Sequence, residues 1–482
     1  MAQQVSALPP EDTQPVLTER RLRALIFLVA GAMFMENLDG TIIVTALPTM
    51  AKAFGHTAIA LNIGVSAYLL ALGIFIPASG WAAERFGTRR LFALAIALFM
   101  AASALCGIAN GLPFFVAMRV FQGVAGAMMV PVGRVVILRS TPGDKLMAAM
   151  GSLIWPALMA PVLGPPLGGF ITTHASWRWI FYLNIPLGVV ALLVTLRILP
   201  DFRSTERPPF DWRGFLLCGG GICALLSGLE RMVQHLDAVT LALLMAGSLL
   251  VVLAWRHFRR AQAPMIDLRA TSIPTFRIAM RGGSAYRLAI ASGPFLLPLM
   301  FQVGFGFSPE KSGLLMLGMF GSDVALKSVT NRIIRAFGFR RVLVVNGLLC
   351  AVALAAFSLL RATTPLPLIV LALALGGATR SMQFTTIGMI TFADIPKPMV
   401  SGVSVLSSTV VQLGMGAGIA LGATGVRIGQ SIAGQAGIAA PDTPFHIAFL
   451  LTASLAFAGL ADALQLAPDA GDRFASREKP AG

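Results

Sequence analysis

Apolar runs of about twenty residues follow one another along this chain, with short polar breaks between them. A helix rises about 1.5 Å per residue, so each run can cross a hydrocarbon core of about 30 Å. Inside such a core every backbone N–H and C=O must be satisfied within the chain, which leaves helices and closed barrels. A barrel would show short alternating segments, and these runs do not alternate. Composition agrees. The 482 residues are 56% hydrophobic and 12% charged, about half the charged fraction of a soluble domain. The expected fold class is an all-α polytopic membrane protein.

Fourteen candidate spans are read, at roughly 22–48, 61–83, 91–110, 112–138, 147–171, 177–199, 213–232, 239–257, 284–304, 312–334, 342–361, 365–391, 400–428 and 444–466. An even number puts both termini on one side. About 27 of the 37 Lys and Arg fall in loops on that side and about 5 opposite, so both termini are expected in the cytoplasm. The formal charge of +16 is thus spread over short loops. It does not form the continuous basic face that a nucleic-acid site needs, so the expected partner is the lipid bilayer, with no nucleic acid. The first run follows Arg20, Arg21 and Arg23, is too long for a typical signal sequence, and is expected to be retained. Cys106, Cys218, Cys223 and Cys350 all lie in apolar runs without ligand spacing, so no metal is expected.

FGTRRL (86–91) follows the second span and FGFRRV (337–342) the tenth, which suggests duplicated halves. The expected organisation is a tail (1–21), a six-helix bundle (22–199), an inserted helix pair (200–258), a linker with an interfacial helix (259–283), a second six-helix bundle (284–466) and a tail (467–482). The linker mixes Arg with Phe, Met and Ile, which suits a helix lying in the interface.

Ionisable groups within spans are costly, so each is a candidate site. FMENLDGTIIV places Glu36 and Asp39 mid-span and on one helical face. A carboxyl there titrates according to whether water reaches it, the property a proton-coupled carrier needs. Arg119 requires a partner, and either acid could serve. In span five, APVLGPPLGGF (160–170) combines Pro161, Pro165, Gly164, Gly168 and Gly169, a kink with a close-packing surface. After span two, GWAAERFGTRR (80–90) offers Gly80 for close packing and Gly87 for a tight turn. Glu84, Arg85, Arg89 and Arg90 there can form an ion network. In the second half Asp323 and Lys327 stand four apart and can pair on one face, and Arg380 with Gln383 repeats the spacing of Arg119 with Gln122.

These residues carry a resemblance. GWAAERFGTRR resembles the loop 2–3 signature of the major facilitator superfamily. LDGTIIVTALPTM (38–50) resembles the first-span signature of its fourteen-helix drug:proton antiporters of the EmrB/QacA type. RVFQGVAGA (119–127), GPPLGG (164–169), SWRWIFYLNIPLG (176–188) and FDWRG (210–214) are similar to further motifs of that family. The likeness covers nearly the whole chain. It implies two six-helix bundles plus an inserted pair working by alternating access. It implies proton coupling through Asp39 with Arg119 in the relay. Gly80, Glu84, Arg85, Gly87 and Arg90 would stabilise the state closed to the cytoplasm, and the span-five motif is associated with exporters. Three positions depart from the pattern. Glu84 stands where the signature has Asp, Arg335 replaces an acid in the second copy, and Glu36 is additional.

The expected function is proton-coupled efflux of amphipathic drugs or toxic small molecules across a bacterial inner membrane. The alternative is a dedicated exporter or importer of one metabolite, such as a siderophore or organic acid. No nucleotide loop or metal-ligand cluster reads as an enzyme, and no cofactor is expected beyond the proton gradient. The outward loops are short, so a monomeric carrier is favoured over one that docks a periplasmic adaptor.

Overall fold

The computed structural model describes residues 18–141, 143–203, 209–232, 237–262, 264–396, 399–437 and 440–467. Residues 1–17 and 468–482 of the two expected tails lie outside them. The described residues are helical, with no strand among them. The first half comprises α1 (Glu19–Phe54), α2 (Asn62–Phe86), α3 (Thr88–Gly107), α4 (Leu112–Ser140), α5 (Gly143–His174), the single turn α6 (Trp179–Tyr182) and α7 (Asn184–Ile198). Next come α8 (Trp212–Met232) and α9 (Ala238–Arg260). The second half comprises α10 (Pro274–Leu299), α11 (Pro309–Phe357), α12 (Leu366–Ile390), α13 (Val400–Gln435) and α14 (Thr443–Leu464).

Among the described residues, twelve helices are long and apolar enough to cross a membrane. That reckoning takes Pro309–Phe357 as one helix of 49 residues, about twice what a span needs. Gly338 interrupts it with φ 76° and ψ 160°, a conformation a side chain would oppose. The spans expected at 312–334 and 342–361 fall on either side of this break.

Helices α1, α2, α3, α4, α5 and α7 pack among themselves, as do α10 to α14. The two groups meet along α2 with α13 and α5 with α11. The α2–α13 seam runs through the middle of both helices, and the α5–α11 seam through the helix ends remote from the termini. In the first Gly73 meets Leu413; in the second Gly169 meets the backbone of Pro309, and Gly313 meets that of Pro165. Gln302, in a π turn that follows Pro298, donates to the Thr45 carbonyl of α1 at 3.1 Å. The molecule is therefore closed on the side opposite the chain ends.

Helices α8 and α9 pack mainly on each other. Only 17% of the α9 span is buried, which places the pair at the periphery. Aromatic contacts attach it: Phe75 to Phe215 at 5.1 Å and Trp81 to Phe210 at 4.8 Å between ring centroids. Of the segment 259–283, expected as a linker with an interfacial helix, residues 274–283 form the start of α10. Between α9 and α10 the described residues form one 3-10 turn, Arg269–Ser272, after which Pro274 opens α10. Proline lacks the donor an interior position needs but suits the first turn. Ile266 and Ala270 of this segment are buried with Phe258, Phe276, Val403 and Leu406 in a small second core.

Asp211 holds that region together. One carboxylate oxygen accepts from the Gly214 N–H at 2.9 Å and faces His257 Nε2 at 2.7 Å. The other accepts from the Met265 N–H at 3.1 Å. Burial pushes the Asp211 carboxyl up, but the two backbone donors and His257 outweigh it and leave it below the usual carboxylate range. A carboxyl depressed in the fold stabilises above its unfolded value, about 3.9, and that contribution fades as pH falls towards the folded value. Amide exchange at Gly214 and Met265, corrected for intrinsic rates, should therefore be slow at neutral pH and quicken below about pH 4. Asp211→Asn should bring the fast exchange to neutral pH.

Candidate polar centre in the first half

Arg119 and Gln122 lie one turn apart on α4 and face α1 together. Arg119 Nη1 donates to Asp39 Oδ2 and to Gln122 Oε1, both at 2.6 Å. Gln122 Nε2 and Asn184 Nδ2 each donate to Asp39 Oδ1 at 2.8 Å. Asn184 also donates to Ser103 Oγ at 3.0 Å, and Ser103 donates to the Phe181 carbonyl at 2.9 Å. Arg119 Nε points to the Gly64 carbonyl at 3.4 Å. The Tyr68 ring covers the guanidinium, with its centroid 4.3 Å from Cζ. Arg119 and Asp39 have side-chain exposures of 0% and 1%. The centre thus holds one anion matched to one cation, with α1, α2, α3, α4 and α7 all contributing.

Of the two acids considered for Arg119, Asp39 takes it. Glu36 faces elsewhere. It is 8% exposed, and its Oε2 is sealed without a hydrogen-bond partner. The Tyr68 hydroxyl and Arg119 Nη2 are likewise buried and unpartnered. Sequence reasoning passed over Asn184, Ser103 and Tyr68. The available signal was a polar side chain inside an apolar run. Asn184 opens α7 immediately after the short turn α6, within SWRWIFYLNIPLG, where the break in the helix aims it inward.

In the second half, Asp323 pairs with Arg380, not with Lys327 as expected. The guanidinium arrives from the neighbouring α12 and offers a planar fork that an ammonium four residues along the same helix cannot. Lys327 forms no ion pair among the described residues. Arg380 lies over Phe320 at 5.4 Å, and Gln383 accepts from Asn346 Nδ2 at 2.9 Å. Arg380 and Asp323 are 18% and 14% exposed, so this pair is wetter than the first. Arg287 is 2% exposed within α10 and donates to the Ala279 carbonyl at 3.2 Å.

Among the described residues the expected ion network of Glu84, Arg85, Arg89 and Arg90 does not form. The chain after α7 returns beneath the α2–α3 turn and supplies the partners instead. Asp201 accepts from the Arg89 N–H at 3.2 Å, and Arg89 Nε donates to the Leu199 carbonyl. Thr88 exchanges hydrogen bonds with the backbone of Pro200 and Phe202. Gly87 has φ 89° and lies against Asp201, so a tight turn is required there. Gly80 is exposed, and a Cβ on it would meet nothing within 4 Å, so it provides no close contact in this conformation. Glu84 makes no ion pair among the described residues, and Arg85 and Arg90 are exposed.

The span-five motif does make close contacts. Gly164 and Gly168 lie against Thr41, Ile42 and Thr45 of α1, while Gly169 lies against Pro309 of α11. Pro161, Pro165 and Pro166 stand within the same helix, and the carbonyl of Pro165 meets Gly313. The motif thus sits between α1 and the second half, at the closed end.

Residues 29–419 match the sequence model of the Major Facilitator Superfamily. The chain is 36% identical over 443 residues to "Putative multidrug resistance protein MdtD" of Pectobacterium atrosepticum, covering 91% of this chain and 93% of that protein. The protein of the same name from Salmonella paratyphi A is 36% identical over 432 residues, covering 89% and 90%. This agrees with the likeness to MdtD carried by AMMVPVGR (127–134), FGFRRVLV (337–344) and the Lys327 region. Among solved structures, the POT family transporter PepTSo superposes with a TM-score of 0.67 at 11% identity, covering 96% and 99%. The xylose transporter XylE of E. coli gives 0.60 at 11% identity, covering 91% and 98%. At such identities these structures speak for the fold alone.

Removing one member of a buried ion pair leaves an uncompensated charge, at a cost of about 3–5 kcal/mol. Arg119→Ala should therefore lower the thermal stability of the purified protein markedly. Arg380→Ala, at the wetter pair, should cost less in the same melting measurement.

Proposed function

The chain belongs to the major facilitator superfamily, and from that premise we propose that it expels amphipathic drugs or toxic small molecules in exchange for protons. It is a multi-pass membrane transporter and not a catalytic enzyme. The relatives named for multidrug resistance support efflux as the direction. The observation that carries proton exchange is the buried Asp39 within its ring of donors. A carboxylate neutralised by one guanidinium in a low-dielectric interior is held by a balance that one proton upsets. Protonation of Asp39 would weaken its hold on Arg119, and with it the contacts among α1, α4 and α7. Such a rearrangement can be linked to alternating access between the two helix groups.

The energy scale suffices. One charge moving through 100 mV releases about 2.3 kcal/mol, and a tenfold gradient costs about 1.4 kcal/mol. One proton can thus sustain a gradient of tens-fold. The same reading has fourteen crossings, a bacterial inner membrane, both termini in the cytoplasm and a protein working as a monomer. The side closed in this structure is then the periplasmic side, sealed by the span-five motif.

Asp39→Asn should abolish efflux driven by a pH gradient in proteoliposomes while the protein stays in the membrane. Unchanged efflux of ethidium and tetraphenylphosphonium by this variant would remove Asp39 from the coupling. Gly169→Leu should force α5 from α11. Vesicles carrying it should lose an imposed proton gradient faster than those carrying the parent protein.

A further inference from the structure

Three buried polar atoms without partners cluster beside the ion pair: Glu36 Oε2, the Tyr68 hydroxyl and Arg119 Nη2. Gly126 explains how the first two come near each other. The point where a Cβ on Gly126 would stand lies 3.6 Å from the Tyr68 hydroxyl and 3.7 Å from Glu36 Cδ. With no side chain there, the carboxyl and the phenol share one small space between α1, α2 and α4. The Tyr68 ring rests on Arg119 at 4.3 Å, so one residue touches the surroundings of both acids.

The donor distribution is unequal. Asp39 receives three donors, one of them a guanidinium. Glu36 receives none among the described residues. A buried carboxylate without donors is far costlier than a neutral carboxyl. Arg119 can neutralise one carboxylate, not two. The charged or titratable groups acting on Glu36 are Arg134 of α4, Asp39 of its own helix and Tyr68 of α2. Arg134 is exposed and lies two turns beyond Gly126, towards the side of the termini. Its positive charge acts on Glu36 from the side of the chain ends, and it is not one of the three unpartnered atoms.

We propose that Glu36 and Asp39 share a single proton, held on Glu36 in this conformation, with Tyr68 coupling the two sites. The proposal rests on the proton-exchange reading and gives it an order. A proton arriving on Asp39 makes that carboxyl neutral and leaves Arg119 unmatched. Glu36 then releases its own proton towards the side of the chain ends and becomes the anion that balances Arg119. One proton enters, one leaves, and the cluster always holds one carboxylate against one guanidinium. The Tyr68 O–H can donate to ionised Glu36 while the ring stays on Arg119.

Infrared difference spectroscopy of the full-length protein in lipid, without any drug, tests this. At neutral pH the carbonyl stretch of a protonated carboxyl should be present. It should shift when the protein carries isotopically labelled glutamate and stay when it carries labelled aspartate. In Asp39→Asn the band should vanish at neutral pH, because Glu36 must then supply the anion for Arg119. Tyr68→Phe keeps the ring and removes the donor, so the titration midpoint of the band should rise by about one pH unit. A band that moves with labelled aspartate, or that persists in Asp39→Asn, overturns the sharing. A midpoint unmoved by Tyr68→Phe overturns the part given to Tyr68. These spectra need neither substrate nor gradient. Failure of the efflux reading therefore leaves the sharing standing, and failure of the sharing leaves efflux standing.

Discussion

The ion pair of Asp39 with Arg119 is the constraint on which the first half depends. Both side chains are essentially sealed from solvent. In such a place either charge alone would cost several kcal/mol, and their attraction offsets this only when the remaining lone pairs and protons are also engaged. The surrounding helices supply those groups. Gln122 bridges the two ions, Asn184 completes Asp39, and Ser103 orients Asn184. Helices α3 and α7, which face lipid with much of their surface, are thereby tied to the centre through single polar side chains.

The second half keeps part of this design and alters the rest. An arginine again lies against an aromatic ring, with a glutamine one turn on. The acid, however, comes from α11 and not from the first helix of that half. Its pair is less deeply buried than the first, and among the described residues no ring of side-chain donors surrounds it. The two halves therefore share packing while differing in electrostatics. Of the two pairs, the one in the first half is the more deeply buried.

Close approach of backbones at the far end sets the other limit. The glycines of α5 bring it within contact of α1 and α11 together, so a movement of α1 is felt across the seam between the halves. Small residues take this role because apolar side chains gain nothing by leaving lipid for one another, and packing must come from shape. The ion pair on α1 and the seam on α5 are thus mechanically adjacent.

Much of this was legible in the sequence, because lipid imposes rules that act residue by residue. A run of apolar residues must span or be buried, and an ionisable residue within it must face inward. That reasoning gave the all-helical membrane fold, the need of Arg119 for an acid on the first helix, and the tight turn at Gly87, while the choice of Asp39 over Glu36 came from the packing. It also marked Glu36 as exceptional. It failed where the partner depended on which helices become neighbours. Asp323 chose Arg380 over the lysine on its own helix, Arg89 found Asp201 over a hundred residues away, and Gly80 found no neighbour. Asn184 and Tyr68 looked like ordinary residues of apolar runs. Local periodicity fixes which face of a helix must be hidden. Only the packing of helices distant in the chain decides which atom on the opposing face will satisfy it.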